Sequence, residues 1–243
     1  MDNKKLKSEN TKLVIAISSR ALFNLDQSHK IFKEKGIEAY AKHQQENEHV
    51  ILEPGVGFTL VKKLLKLNSK KTPIDVILLS RNSADTGLRI FNSIEHYDLN
   101  ISRAAFTRGE STHPFVGAFE ADLFLSSNYN DVQKALQSGY AAASIVESKS
   151  NNSHPSQLRI AFDGDAVIFS DESERIFQEK GLEAFHENEI LSEKIELKAG
   201  PFKSFLVSLQ KIQSTFPEED NPIRTALVTA RSAPSHRRVI HTM

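Results

Sequence analysis

Short apolar runs, each cut off by a polar turn and followed by residues at helical spacing, set the rhythm of the chain. Leu13 to Ile17 and Leu158 to Phe162 read as short buried strands, apolar on both faces as a central parallel strand requires. After each comes a polar turn and then an apolar stripe at helical intervals. The stripe is Ile31, Phe32, Ala39 and Tyr40 in one place, and Ile176, Phe177, Ala184 and Phe185 in the other. Second helices are predicted over Phe58 to Leu67 and Phe202 to Ile212. Second strands are predicted over Val76 to Leu79 and Thr225 to Val228, ending at a hydroxyl residue, Ser80 or Thr229, before another helix. Strand–helix–strand–helix order with apolar strands implies a parallel sheet covered by helices.

The recurrence is an internal repeat. Ile15 to Tyr40 (IAISSRALFNLDQSHKIFKEKGIEAY) and Ile160 to Phe185 (IAFDGDAVIFSDESERIFQEKGLEAF) align without a gap, with 12 of 26 positions identical. Leu52 to Leu64 matches Leu197 to Leu209 in the same register. After a loop four residues longer in the second repeat, Val76 to Ile94 matches Thr225 to Met243. The first repeat continues through strands at Ala104 to Thr107, Ala121 to Leu125 and Ala141 to Val146, with a helix at Asp131 to Gln137. The expected organisation is a first unit over 1–147, a Ser- and Asn-rich linker over 148–157 and a second unit over 158–243.

Composition narrows the function. Lys plus Arg and Asp plus Glu balance at 31 each, so no basic field points to nucleic acid or an anionic membrane. Cysteine is absent, which excludes disulfides, cysteine nucleophiles and thiolate metal sites. Met1 to Asn10 is polar and lysine-rich, unlike a signal peptide, and no run approaches the ~20 apolar residues of a membrane helix. A soluble cytoplasmic protein is expected.

Candidate chemistry lies where the repeats diverge. The second has Asp163-Gly164-Asp165 at the end of its first strand, and the first has Ser18-Ser19-Arg20. Ligands of open parallel sheets bind beyond the carboxyl ends of the strands. Two carboxylates there can divide the work of nucleophile and of general acid and base. They also call for a hard cation such as Mg²⁺. Thr229 ends the next strand and, with backbone N–H groups at the start of a helix, suits a phosphate oxygen, with Arg231 as a possible charge-assisted partner. Ser18, Arg20 and Ser80 read as a decayed site kept as scaffold, or alternatively as a regulatory pocket.

DGDAV after an apolar strand resembles motif I of the haloacid dehalogenase superfamily (DxDx(T/V)), and LVTARSAP resembles its motif II. The duplicated layout, with SSRALF, NSIEHYDL, AFDGDAVIFSDESE and PIRTALVTARSA, resembles the type I cytosolic 5′-nucleotidases over Leu13 to Met243. The resemblance implies two tandem Rossmann-like, haloacid dehalogenase-like α/β units, the first degenerate and the second incomplete. It implies a nucleoside 5′-monophosphate substrate, with Asp163 as phosphorylated nucleophile and Asp165 as general acid and base. Asp163 and the backbone carbonyl of Asp165 hold Mg²⁺ in this scheme, and Thr229 binds the phosphoryl group.

The lysine of motif III and the acidic pair of motif IV have no counterpart in the second repeat, while Ser126-Ser127-Asn128 occupy the motif IV place in the first. The alternatives are therefore a catalytically impaired nucleotide-binding or scaffold protein, or a phosphatase for another small phosphomonoester. Uncovered apolar edges on the second sheet lead to the expectation of association with another chain, a homo-oligomer being one form of it, or else of low stability.

Overall fold

The computed structural model describes residues 12–69, 71, 73–146, 157–231, 233 and 235–243. The predicted lysine-rich start and all of the predicted linker except Gln157 lie outside the described residues. The chain divides into two compact units, one of Met1–Leu158 with Ser208–Pro222, the other of Arg159–Val207 with Ile223–Met243.

The first unit is built on a parallel sheet of β1 (Leu13–Ser18), β2 (Ile74–Ser80), β3 (Arg103–Phe106), β4 (Leu123–Ser126) and β5 (Ala142–Ser144), in the order β3-β2-β1-β4-β5. Every residue of β2 and the first five of β1 are buried, as parallel strands covered on both faces must be. Val14, Ala16, Ile77, Leu79 and Phe124 project to one face and pack with Val116, Val132 and Ala135. The helices are α1 (Ser19–Leu22), α2 (Asp26–Glu46), α3 (Phe58–Lys66), α4 (Leu88–His96), α5 (Pro114–Ala118) and α6 (Tyr129–Gln137). Strand order reverses between β1 and β4, which opens a crevice at their carboxyl ends.

The second unit pairs β6 (Leu158–Asp163) with β7 (Ile223–Val228). A wide turn with non-helical backbone, Gly164–Ile168, follows β6. Then come α7 (Glu172–Leu191), α8 (Lys203–Gln213), whose last six residues belong to the first unit, and α9 (His236–Thr242). Phe169, Leu197 and Val239 form a small core beside Ile168 and Leu227. The sequence leads one to expect β6 to be buried on both faces, but only Leu158 and Phe162 of it are buried. Among the described residues it has one strand neighbour, so its remaining positions meet solvent.

The repeat extends to individual bonds. Arg89 donates to Gln44 and to the Val50 carbonyl in the first unit; Arg238 donates to Glu189 and to the Ile195 carbonyl in the second. Ser28 bonds Gln44, and Ser173 bonds Glu189. The Ser93 hydroxyl accepts from the Leu52 N–H, and that of Thr242 from the Leu197 N–H. Both long helices break at a glycine, Gly36 and Gly181, each with φ +82°. That left-handed conformation is why the two EKG sequences end a helical segment there.

Candidate active site

The carboxyl end of β6 is the start of the site. Asp163 retains extended backbone (φ −69°, ψ 147°), and its side chain is exposed. The chain then turns through Gly164–Ile168, closed by a bond from the Phe169 N–H to the Gly164 carbonyl. In the first unit the corresponding turn is one residue tighter, closed from Phe23 to Ser19. The wider turn requires Ala166 to adopt φ +59°, a conformation costly to any residue with a Cβ.

β7 ends next to this turn. A Cβ placed on Gly164 would lie 3.7 Å from the Cβ of Thr229 and 3.6 Å from Cδ1 of Leu227. The Asp-Gly-Asp turn and Thr229 are thus neighbours. The expected helix does not begin directly after Thr229, however; α9 starts only at His236. The chain turns immediately after β7, with the Thr229 hydroxyl accepting from the Arg231 N–H at 3.1 Å. Ser80 and Asn82 form the same turn in the first unit, at 3.2 Å.

That turn aims Arg231 at Asp165. Its Nε donates to Oδ2 at 3.0 Å and its Nη2 to Oδ1 at 2.5 Å, while its Nη1 bonds Glu189 of α7. Glu189 also accepts from Arg238 at 3.1 Å and from the Ser173 hydroxyl at 2.8 Å. The Phe185 ring lies under the guanidinium, 5.4 Å from centroid to Cζ. Side-chain exposure falls from 21% at Asp165 to 2% at Arg231, 3% at Arg238 and 0% at Glu189. Two carboxylates face two guanidiniums, so the buried charges compensate. Burial pulls the Arg231 pKa down, but bonding to Asp165, then the charges of Asp165 and Glu189, outweigh it and leave it above the ordinary arginine value.

Of the four residues the sequence singles out, Asp163, Asp165 and Thr229 come together at the strand exits. Arg231 joins them facing carboxylates, not open space. The sequence reading passes over Glu189, Arg238 and Ser173. Their signal was the repeat itself, which keeps Arg and Ser at the matching positions Arg89 and Ser28.

Hard oxygen donors suit a divalent cation. The exposed Asp163 carboxylate and the Asp165 carbonyl fit that need, whereas the Asp165 carboxylate is occupied by a cationic partner. Among the described residues no group of three or more His, Cys, Asp and Glu side chains is placed to hold a metal ion. Asp163 and the Asp165 carbonyl therefore offer two oxygens, fewer than the shell of a divalent cation requires.

No solved structure matches the chain. Human cytosolic 5′-nucleotidase 1B is 39% identical over 245 residues, which cover 95% of this chain and 40% of that protein. The chain therefore spans two fifths of the length of that relative. The 5′-nucleotidase family model matches residues 5–243, nearly the whole sequence, with the Asp163–Asp165 turn and Thr229 inside the matched span. On that match and that identity, the chain belongs to the 5′-nucleotidase family, in its cytosolic type I branch.

Proposed function

We propose that the second repeat carries the phosphatase chemistry of a 5′-nucleotidase acting on nucleoside 5′-monophosphates such as AMP or IMP. The observation that carries this reading is the placement of Thr229 against the Asp163-Gly164-Asp165 turn, at the exits of two paired strands. Asp163, exposed and extended from the strand, attacks phosphorus. Asp165 enters the step protonated on an outer lone pair. The bond from phosphorus to the ester oxygen breaks, and that oxygen takes the proton from Asp165, releasing the nucleoside. Water then attacks the aspartyl-phosphate, giving a proton to Asp165 and freeing phosphate and the Asp163 carboxylate.

Thr229 assists as a donor. Its oxygen already accepts from the Arg231 N–H, so its own proton remains to be given to a phosphoryl oxygen. Both Asp165 oxygens accept from Arg231, leaving their outer lone pairs for proton transfer. Arg231 acts here as a positioning residue; contact with phosphate requires it to leave a carboxylate. Asp163 and the Asp165 carbonyl would hold Mg²⁺, and the ion would supply positive charge against the phosphoryl oxygens.

The remainder of the reading follows the family. The paired bonds of the repeats support two tandem haloacid dehalogenase-like units over 1–147 and 158–243. The name of the human relative supports a cytoplasmic setting. Among the described residues no helix is long and apolar enough to cross a membrane.

The test is direct. Purified protein with Mg²⁺ and AMP or IMP is expected to release phosphate, and Asp163→Asn to reduce release by ~10³-fold or more. Equal release by the two proteins would overturn the reading.

A further inference from the structure

We propose that the first unit holds a second ligand site, which binds a small organic phosphate bearing a flat ring and does not hydrolyse it. The site is a cavity of about 340 Å³ at the carboxyl edge of the five-stranded sheet. Small-molecule pockets are typically ~300–1,000 Å³ and favour the switch point of a parallel sheet. This cavity sits there, lined by Ser18 and Arg20 after β1 and by Ser127 and Asn128 after β4. The Ser18 hydroxyl accepts from the Ser127 N–H at 3.4 Å across the reversal of strand order.

The lining has two characters. Phe32, Tyr40 and His29 make an aromatic wall, with Phe32 edge-on to Tyr40 at 6.0 Å and stacked with His29 at 6.3 Å. Burial, then the Arg20 and Lys33 charges, lower the His29 pKa, so this wall is uncharged at neutral pH. Arg20, Arg81 and Arg108 line the cavity, with Asp131 as the single carboxylate among its described residues. Arg81 is bound by both oxygens of Asp131. Arg108 has no ion pair among the described residues, and Arg20 has only an exposed one with Asp26 at 3.3 Å. Two guanidiniums are therefore available to an anion beside an aromatic wall.

Orphaned polar atoms give an independent sign. The Thr112 hydroxyl and the Asn82 amide nitrogen are buried without a hydrogen-bond partner, and both residues line the cavity. Thr112 is 1% exposed. Native proteins seldom leave such groups unsatisfied, and a polar ligand satisfies them. Hydrolysis is excluded by residue type: Ser18 stands where the second repeat has Asp163, Arg20 where it has Asp165, and Asp131 is committed to Arg81 and Ser111.

The experiment titrates AMP, adenosine and inorganic phosphate into the full Asp163→Asn chain by calorimetry, so that turnover does not interfere. AMP is expected to bind at least tenfold more tightly than either fragment. Arg20→Gln with Arg108→Gln is expected to weaken one binding event by tenfold or more at unchanged melting temperature. Thr112→Val separates function from folding: affinity falls several-fold while the melting temperature holds or rises, because an unsatisfied hydroxyl is removed. Unchanged AMP binding in the double arginine variant, or no AMP binding to the Asp163→Asn chain at millimolar concentration, overturns the proposal. Phosphate release by the wild type is read separately, so a failure of the hydrolytic reading remains distinguishable from a failure of this one.

Discussion

Arg231 grips Asp165 through two nitrogens and Glu189 through the third. A residue chosen from sequence as a phosphate contact is thus the central cation of a buried network, and it fixes the second carboxylate of the Asp-Gly-Asp turn.

Removing that cation exposes the cost of the arrangement. Arg231→Ala leaves the fully buried Glu189 with Arg238 as its one remaining cation and strips Asp165 of both bonds. Breaking a buried pair in this way typically costs ~3–5 kcal/mol. Urea denaturation is expected to show a loss in that range for Arg231→Ala, and a smaller one for Asp165→Asn, whose side chain keeps 21% exposure.

The first repeat suggests how the loss is recovered. Asn82, Tyr40 and Gln44 stand where the second repeat has Arg231, Phe185 and Glu189. There the Tyr40 hydroxyl donates to Asn82 at 2.7 Å and accepts from Gln44 at 3.2 Å, so neutral groups close the same gap. The triple variant Phe185→Tyr, Glu189→Gln, Arg231→Asn is expected to be more stable than Arg231→Asn alone. The coupling expected for contacting residues is about 0.5–3 kcal/mol. Additive losses in the cycle would refute the equivalence.

Backbone strain gives a prediction of opposite signs. Gly181→Ala places a Cβ at φ +82° and ψ −177°, where nothing crowds it but the backbone region is essentially glycine's own, at about 1–3 kcal/mol. Ala166→Gly relieves left-handed strain at φ +59° and is expected to stabilise by about 0.5–1 kcal/mol, after the greater chain entropy of glycine is subtracted. Thermal melts of the two variants should move in opposite directions.

Acid is expected to weaken the first unit before carboxylates titrate. Burial, and then the Arg20 and Lys33 charges, lower the His29 pKa; burial and Arg89 lower that of His43. Below the free histidine value of about 6.5 the unfolded chain binds protons that the fold refuses, so stability falls with pH. The loss begins near pH 7 and levels off below the depressed folded values. His43→Gln should flatten part of this slope in denaturant midpoints measured between pH 7 and 5.

The strands were legible because burial on both faces of a parallel sheet leaves an apolar run, as at Leu13 to Ile17. Asp163, Asp165 and Thr229 were legible because strand exits gather on one edge of a sheet. The role of Arg231 was not, since which neighbour a long side chain meets depends on the turn at Thr229 and on α7, neither visible in local pattern. Burial of β6 was overestimated because an apolar segment does not reveal how many strands flank it. Glu189, charged and fully buried, lay outside any periodicity; its bonding to Arg231, Arg238 and Ser173 explains its place.

The buried network also constrains inheritance. Among the described residues, exchanging Arg231 for a short neutral side chain leaves Glu189 with Arg238 as its one cation, and neutralising Glu189 first leaves Arg231 with Asp165 as its one anion. Each single exchange costs stability, so positions 165, 189 and 231 are expected to change as a set. Within the chain itself all three differ together, the first repeat carrying Arg20, Gln44 and Asn82 at the matching positions.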